Sequence, residues 1–126
     1  MSQSGAISTG GEDPGIIKWN EITVAGPTQM VNANGYVANA GVLVRLTLPA
    51  AADLGEMVAV VGKGAGLYRI EQNAGQQIHY GNLNTTAGVG GSVTSTLARD
   101  TIWLLCTTTN TNWTVCTGTT GIHNVV

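Results

Sequence analysis

Apolar and polar residues alternate in short runs along most of the chain. The clearest is Val42-Leu43-Val44-Arg45-Leu46-Thr47-Leu48, with Val42, Val44, Leu46 and Leu48 on one face and Arg45 and Thr47 on the other, the two-residue period of a half-buried strand. Pro49 ends it, and Ala50 to Leu54 reads as one helical turn closed by Gly55. Met57 to Val61 is apolar on both faces, as a central strand covered on two sides would be. Further β-prone runs cover Ile16–Trp19, Ile22–Val24, Thr28–Val31, Leu67–Glu71, Gln76–Tyr80 and Ser92–Leu97, the last as an edge strand. A hairpin of Thr101–Cys106 and Trp113–Cys116 follows, and Val125-Val126 adds a short terminal strand. Turn dipeptides separate these runs: Gly26-Pro27, Asn34-Gly35 (the pair that suits a type I′ hairpin turn), the Gly62–Gly66 loop and Gly81-Asn82.

Such spacing predicts an all-β domain over residues 16–126, a compact sandwich, roll or barrel of about eight to ten short antiparallel strands. No fixed period of 20 to 50 residues recurs, so a solenoid is not expected. Residues 1–15 contain one bulky apolar side chain after the initiator, Ile7, among Ser, Gly and acidic residues, and read as a flexible N-terminal arm.

Composition sharpens this picture. Charged residues are 10% of the chain, against about 25% in ordinary soluble domains. With five Lys and Arg against seven Asp and Glu, no basic stripe exists for a nucleic-acid backbone. No apolar run is long enough for membrane insertion as a helix, and the first residues lack the pattern of a secretory signal.

The chemistry-bearing residues are few. Gly62-x-Gly64-x-Gly66 encloses Lys63, but a β-prone run follows where a phosphate loop needs a helix, so the segment reads as a hairpin turn. His79 and His123 are the only histidines; neither pairs with Cys106 or Cys116 at metal-ligand spacing, so no metal, cofactor or catalytic set is expected and the chain reads as non-enzymatic. A loop centred on Thr111 would set Cys106 opposite Cys116 and permit a disulfide, whereas a two-residue loop at Thr109-Asn110 would set Cys106 opposite Trp113. Free thiols are favoured because no export signal is present. Asn84-Thr85-Thr86 and Asn112-Trp113-Thr114 match the N-glycosylation pattern by the chance that so many Asn and Thr create. Trp103, in a strongly apolar run, is assigned to the core. Tyr80, Asn82 and Trp113, aromatic and amide groups beside turns, are the candidate glycan contacts.

Strands apolar on both faces need cover that one small domain lacks, so close symmetric association, as a homotrimer, is expected. The stretch Leu46-Thr47-Leu48-Pro49, then Gly55 and Val58-Ala59-Val60-Val61-Gly62-Lys63-Gly64-Ala65-Gly66-Leu67-Tyr68-Arg69-Ile70, continued by Gln72 to Gly81 and the closing Trp-containing hairpin, resembles small β-rich modules of bacteriophage tail fibres and other virion surface or decoration proteins. The resemblance spans roughly residues 36–126. It implies a homotrimeric structural or attachment role on a virion, with other virion proteins as partners. Host attachment through a cell-surface glycan is the alternative function.

Overall fold

The computed structural model describes residues 15–126, so the expected N-terminal arm lies outside the described residues except for Gly15. The described residues are all-β: they form no helix, and so none long and apolar enough to cross a membrane. The first six strands are β1 (Lys18–Ile22), β2 (Thr28–Gln29), β3 (Asn34–Ala38), β4 (Val44–Thr47), β5 (Met57–Gly62) and β6 (Tyr68–Glu71). The remainder are β7 (Gln77–Tyr80), β8 (Leu83–Asn84), β9 (Ser92–Ser95), β10 (Thr101–Thr108), β11 (Asn112–Val115) and β12 (His123–Val125). They form two stacked sheets, one of seven strands in the order β1-β3-β5-β10-β11-β7-β8 and one of five in the order β12-β9-β6-β4-β2.

The strands are more numerous than expected, and half of the strand pairings are parallel rather than antiparallel. From β1 to β6 the chain alternates between the sheets, so each coil lies parallel on the one before. Lys18, Asn34 and Val58 stack in one sheet and Thr28, Leu46 and Ile70 in the other. These intervals are unequal in sequence, which is why solenoid-like winding leaves no period to detect. The β10–β11 hairpin then inserts between β5 and β7, antiparallel to β5 on one side and with β11 parallel to β7 on the other.

Two predicted hairpins are corners of this winding. The amides of Lys63 and Gly64 donate to the Ala38 carbonyl at 2.9 and 3.0 Å, and that of Gly66 to Ala40 at 2.9 Å, so the loop joins the two sheets and stacks on the corner of the previous coil. A Cβ at Gly66 would fall on the Val42 backbone. Gly66→Ala is therefore expected to destabilise the fold by about 1–3 kcal/mol, the cost of overpacking against atoms that cannot move aside. A lower urea midpoint with an unchanged slope would show it. The Asn34-Gly35 pair lies inside β3, and the turn before it takes its positive φ at Ala33.

Other differences are local. Ala50 to Leu54 forms no helical turn, and a tight turn from Asp53 to Glu56 takes its place. β9 is not an edge strand, because β12 pairs outside it. Val44, Leu46 and Leu48 are buried as predicted, but Val42 sits in a corner and is 56% exposed. Between the sheets, Leu46, Val58, Ile70, Ile78, Ile102, Leu104 and Trp113 pack in one core. Full burial of each such aliphatic side chain contributes roughly 1.5–3 kcal/mol.

Candidate association face

The strand alternation gives the sandwich two unlike outer faces. On the five-stranded sheet, Val44, Leu46, Tyr68 and Ile70 point inward, which leaves Arg45, Thr47, Arg69 and Glu71 outside. Register puts Arg45 directly opposite Arg69, a like-charge pair that would repel. Glu71 sits between them, accepting from Arg45 Nε at 2.8 Å and lying 3.8 Å from Arg69 Nη1. These exposed pairs add little stability, but they mark this face as one made for water.

The seven-stranded sheet is different. Inward Tyr36, Val58, Val60, Ile102 and Leu104 leave Val37, Met57, Ala59, Val61, Trp103 and Leu105 on its outer side. One row across this side is Trp19, Gly35, Ala59 and Trp103. β1 and β10 are three strand spacings apart, roughly 14 Å. Yet the indoles of Trp19 and Trp103 meet edge-on with centroids 6.1 Å apart. They lean toward each other over the two small residues: a Cβ at Gly35 would collide with the Trp19 ring, and Ala59 is fully buried. The result is an aromatic bridge over the middle of a sheet face. At one margin lies the pair Lys63–Glu21, 3.6 Å apart, with Asn39 Nδ2 donating to Glu21 at 2.7 Å. The Asn39 amide and then Lys63 hold the Glu21 carboxyl below its ordinary range.

The two tryptophans of the closing hairpin thus exchange the places assigned from sequence. Trp113 is fully buried in the core and out of reach of a sugar, while Trp103 lies half-buried on the outer face. The alternation of β10 decides it, because Ile102, Leu104 and Cys106 all point inward. Cys106 is opposite Trp113, the register of the shorter loop, with a bulge before Thr108. Cys106 therefore faces the core, whereas Cys116, whose amide donates to the Trp103 carbonyl at 2.9 Å, continues the outer row. Both are free thiols, so the suggested disulfide is absent. Burial pushes each thiol up from its ordinary pKa.

Tyr80 and Asn82 are near in sequence but do not converge with Trp113 on one surface. Asn82 is exposed in the β7–β8 turn. The Tyr80 hydroxyl is within 3.1 Å of His123 Nδ1, and the Tyr68 hydroxyl within 2.7 Å of Nε2. His123 is thus clamped between phenols from both sheets, a cluster that sequence reading did not assemble because its members are far apart in the chain. His79 makes a surface contact, Nδ1 to Asn84 Oδ1 at 2.6 Å. An open recess of about 310 Å³ lies between Asn32, Ala51, Ala52, Asp53, Glu56 and Asn110. Among the described residues no three His, Cys, Asp or Glu side chains gather as a metal site would require. Comparison with protein-family models finds no match, and comparison with curated proteins finds none either.

Proposed function

We propose that this chain is a non-enzymatic structural module of a virion, a fibre, head-decoration or tail-associated component that acts as a homotrimer and docks on a larger particle. The observation that carries the associative part is the apolar load on the described surface. Ile17, Trp19, Val24, Leu54, Val89, Leu97 and Ile122 are all exposed, in a chain only a tenth of whose residues are charged. Burial between subunits removes such surface from water, and the neutral polar residues that remain need no charged coat. The virion context rests on the resemblance of residues 36–126 to fibre and decoration modules.

The reading is tested by absolute mass from light scattering on a sizing column over a tenfold dilution. One chain is 12.9 kDa, and a concentration-independent mass close to three times that value is expected. A monomer at every concentration overturns the assembly. Titration with host-surface sugars, followed by tryptophan emission, is expected to give no response; saturable binding would instead establish the glycan-binding alternative.

A further inference from the structure

We infer that copies of this chain pack on one another through the outer face of the seven-stranded sheet, with the Trp19–Trp103 bridge at its centre; this rests on the oligomeric reading above. The face differs from the outer face of the five-stranded sheet, and its large apolar side chains are partly exposed. Val37, Met57, Val61, Trp103 and Leu105 project from the central strands β3, β5 and β10 and carry no charge, although the opposite sheet shows water two arginines and a glutamate. Trp19, which leans inward from the edge strand β1 to meet Trp103, remains 46% exposed. Large, rigid aromatic surface beside small side chains is what the energetic centre of a protein interface is made of.

The occupant is a second copy, for three reasons. The first is charge. The face carries the Glu21–Lys63 pair at its margin, already neutral, so identical faces approach without repulsion, while a polyanion or polycation would meet no countercharge. The second is the supply of apolar groups within the chain. Residues 1–14 bring only Met1 and Ile7 as large apolar side chains, against the six outward positions Val37, Met57, Ala59, Val61, Trp103 and Leu105. The third is the state of the edges. The five-stranded sheet ends in β2, two residues long behind Pro27, and in β12, three residues long. The seven-stranded sheet ends in β8, two residues long, and in β1, which carries Lys18 and Glu21. Short, charged or proline-flanked edges resist strand addition, so association proceeds through a sheet face, three copies of which meet around the three-fold axis of the trimer.

Charge placed on the face tests this. Leu105→Arg and Val61→Lys, made separately, are each expected to reduce the solution mass threefold, to that of one chain, at concentrations where the parent chain is trimeric. Thr94→Lys, on the outer side of the five-stranded sheet, is expected to leave the mass unchanged. Acrylamide quenching of the parent assembly needs no variant: Trp113 is buried in the core, so Trp19 and Trp103 report the face, and both are expected to be shielded while the mass stays oligomeric. A trimeric parent whose charged variants stay trimeric, or whose tryptophans quench as freely exposed indoles, overturns the assignment of the face and leaves the trimer standing. A monomeric parent overturns both.

Discussion

Replacing Gln72 by alanine is expected to cost about 3–5 kcal/mol and to lower the melting temperature by roughly 10–20 °C, although Gln72 belongs to no apolar cluster. The side chain is 3% exposed at the end of β6 and is used completely. Its two Nε2 hydrogens are shared among the carbonyls of Gln76, Thr86 and Gly88, which lie 2.8, 2.9 and 2.8 Å from the nitrogen. Its Oε1 accepts from the Ile78 amide at 3.2 Å and from the Thr85 hydroxyl. One amide thereby organises the chain from β7 through the Gly-rich loop before β9, a segment with few bulky anchors. Gln76 extends the cluster, receiving the Asn73 amide at 2.8 Å and donating to the Pro49 carbonyl at 2.8 Å. Truncation strands several buried polar groups at once, each costing about 1–3 kcal/mol where water does not reach it.

The decisive variant is Gln72→Glu, which keeps the shape and removes both N–H donors. A side chain that only filled space would tolerate the exchange. The hydrogen-bond account predicts a loss at least as large as that of alanine at neutral pH, because a carboxylate would face three carbonyl oxygens. Denaturant titration of both variants measures it, and a Gln72→Glu protein as stable as the parent would refute the account.

How much of this architecture was legible in advance follows from the physics of each interaction. Strand alternation is a property of a single segment, so Val44, Leu46 and Leu48 were placed in the core and Met57 to Val61 in the middle of a sheet. Pairing belongs to two segments, and parallel coils need no special turn to declare themselves. Gly62–Gly66 and Asn34-Gly35 therefore read as hairpins, although the glycines serve close approach: Gly66 to Val42, and Gly35 to Trp19. Trp103 and Trp113 exchange their expected places for a related reason. The apolar run of β10 conceals which of its faces is inside, and only the register Cys106 opposite Trp113 resolves it. Glutamine carries no signal of burial, so the Gln72 cluster was invisible. The outer aromatic bridge likewise depends on strands brought together from the two ends of the chain.

The second large effect is expected on acidification. His123 of β12 is held between Tyr68 of β6 and Tyr80 of β7, so it ties the last strand to both sheets. A neutral imidazole has one donor and one acceptor, which suits one phenol accepting and the other donating. The cation has two donors, so both phenols must accept and turn their own hydrogens elsewhere, and among the described residues the fully buried Tyr68 hydroxyl has no other partner. Burial accordingly holds the His123 pKa below its ordinary 6.5, against the opposing pull of the Asp100 carboxylate. In the unfolded chain the imidazole takes its proton near 6.5, while in the folded chain it resists to lower pH. The unfolded state therefore binds more protons in the window below 6.5, and stability falls as the pH falls through it. Asp100 does not share that window. Burial raises its pKa, but the Thr96 and Leu97 amides, donating at 2.8 and 3.0 Å, together with the attraction of His123 and the Thr96 hydroxyl, hold it below 3.8, so its contribution is lost only in stronger acid. Denaturant midpoints measured from pH 7.5 to pH 5 are expected to decline in the parent and to change much less in His123→Phe. That variant is also expected to be less stable at pH 7.5 by about 1–3 kcal/mol, because the Tyr68 hydroxyl is left without a partner. A parent midpoint that stays level across the range would show that the clamp accommodates the proton without cost.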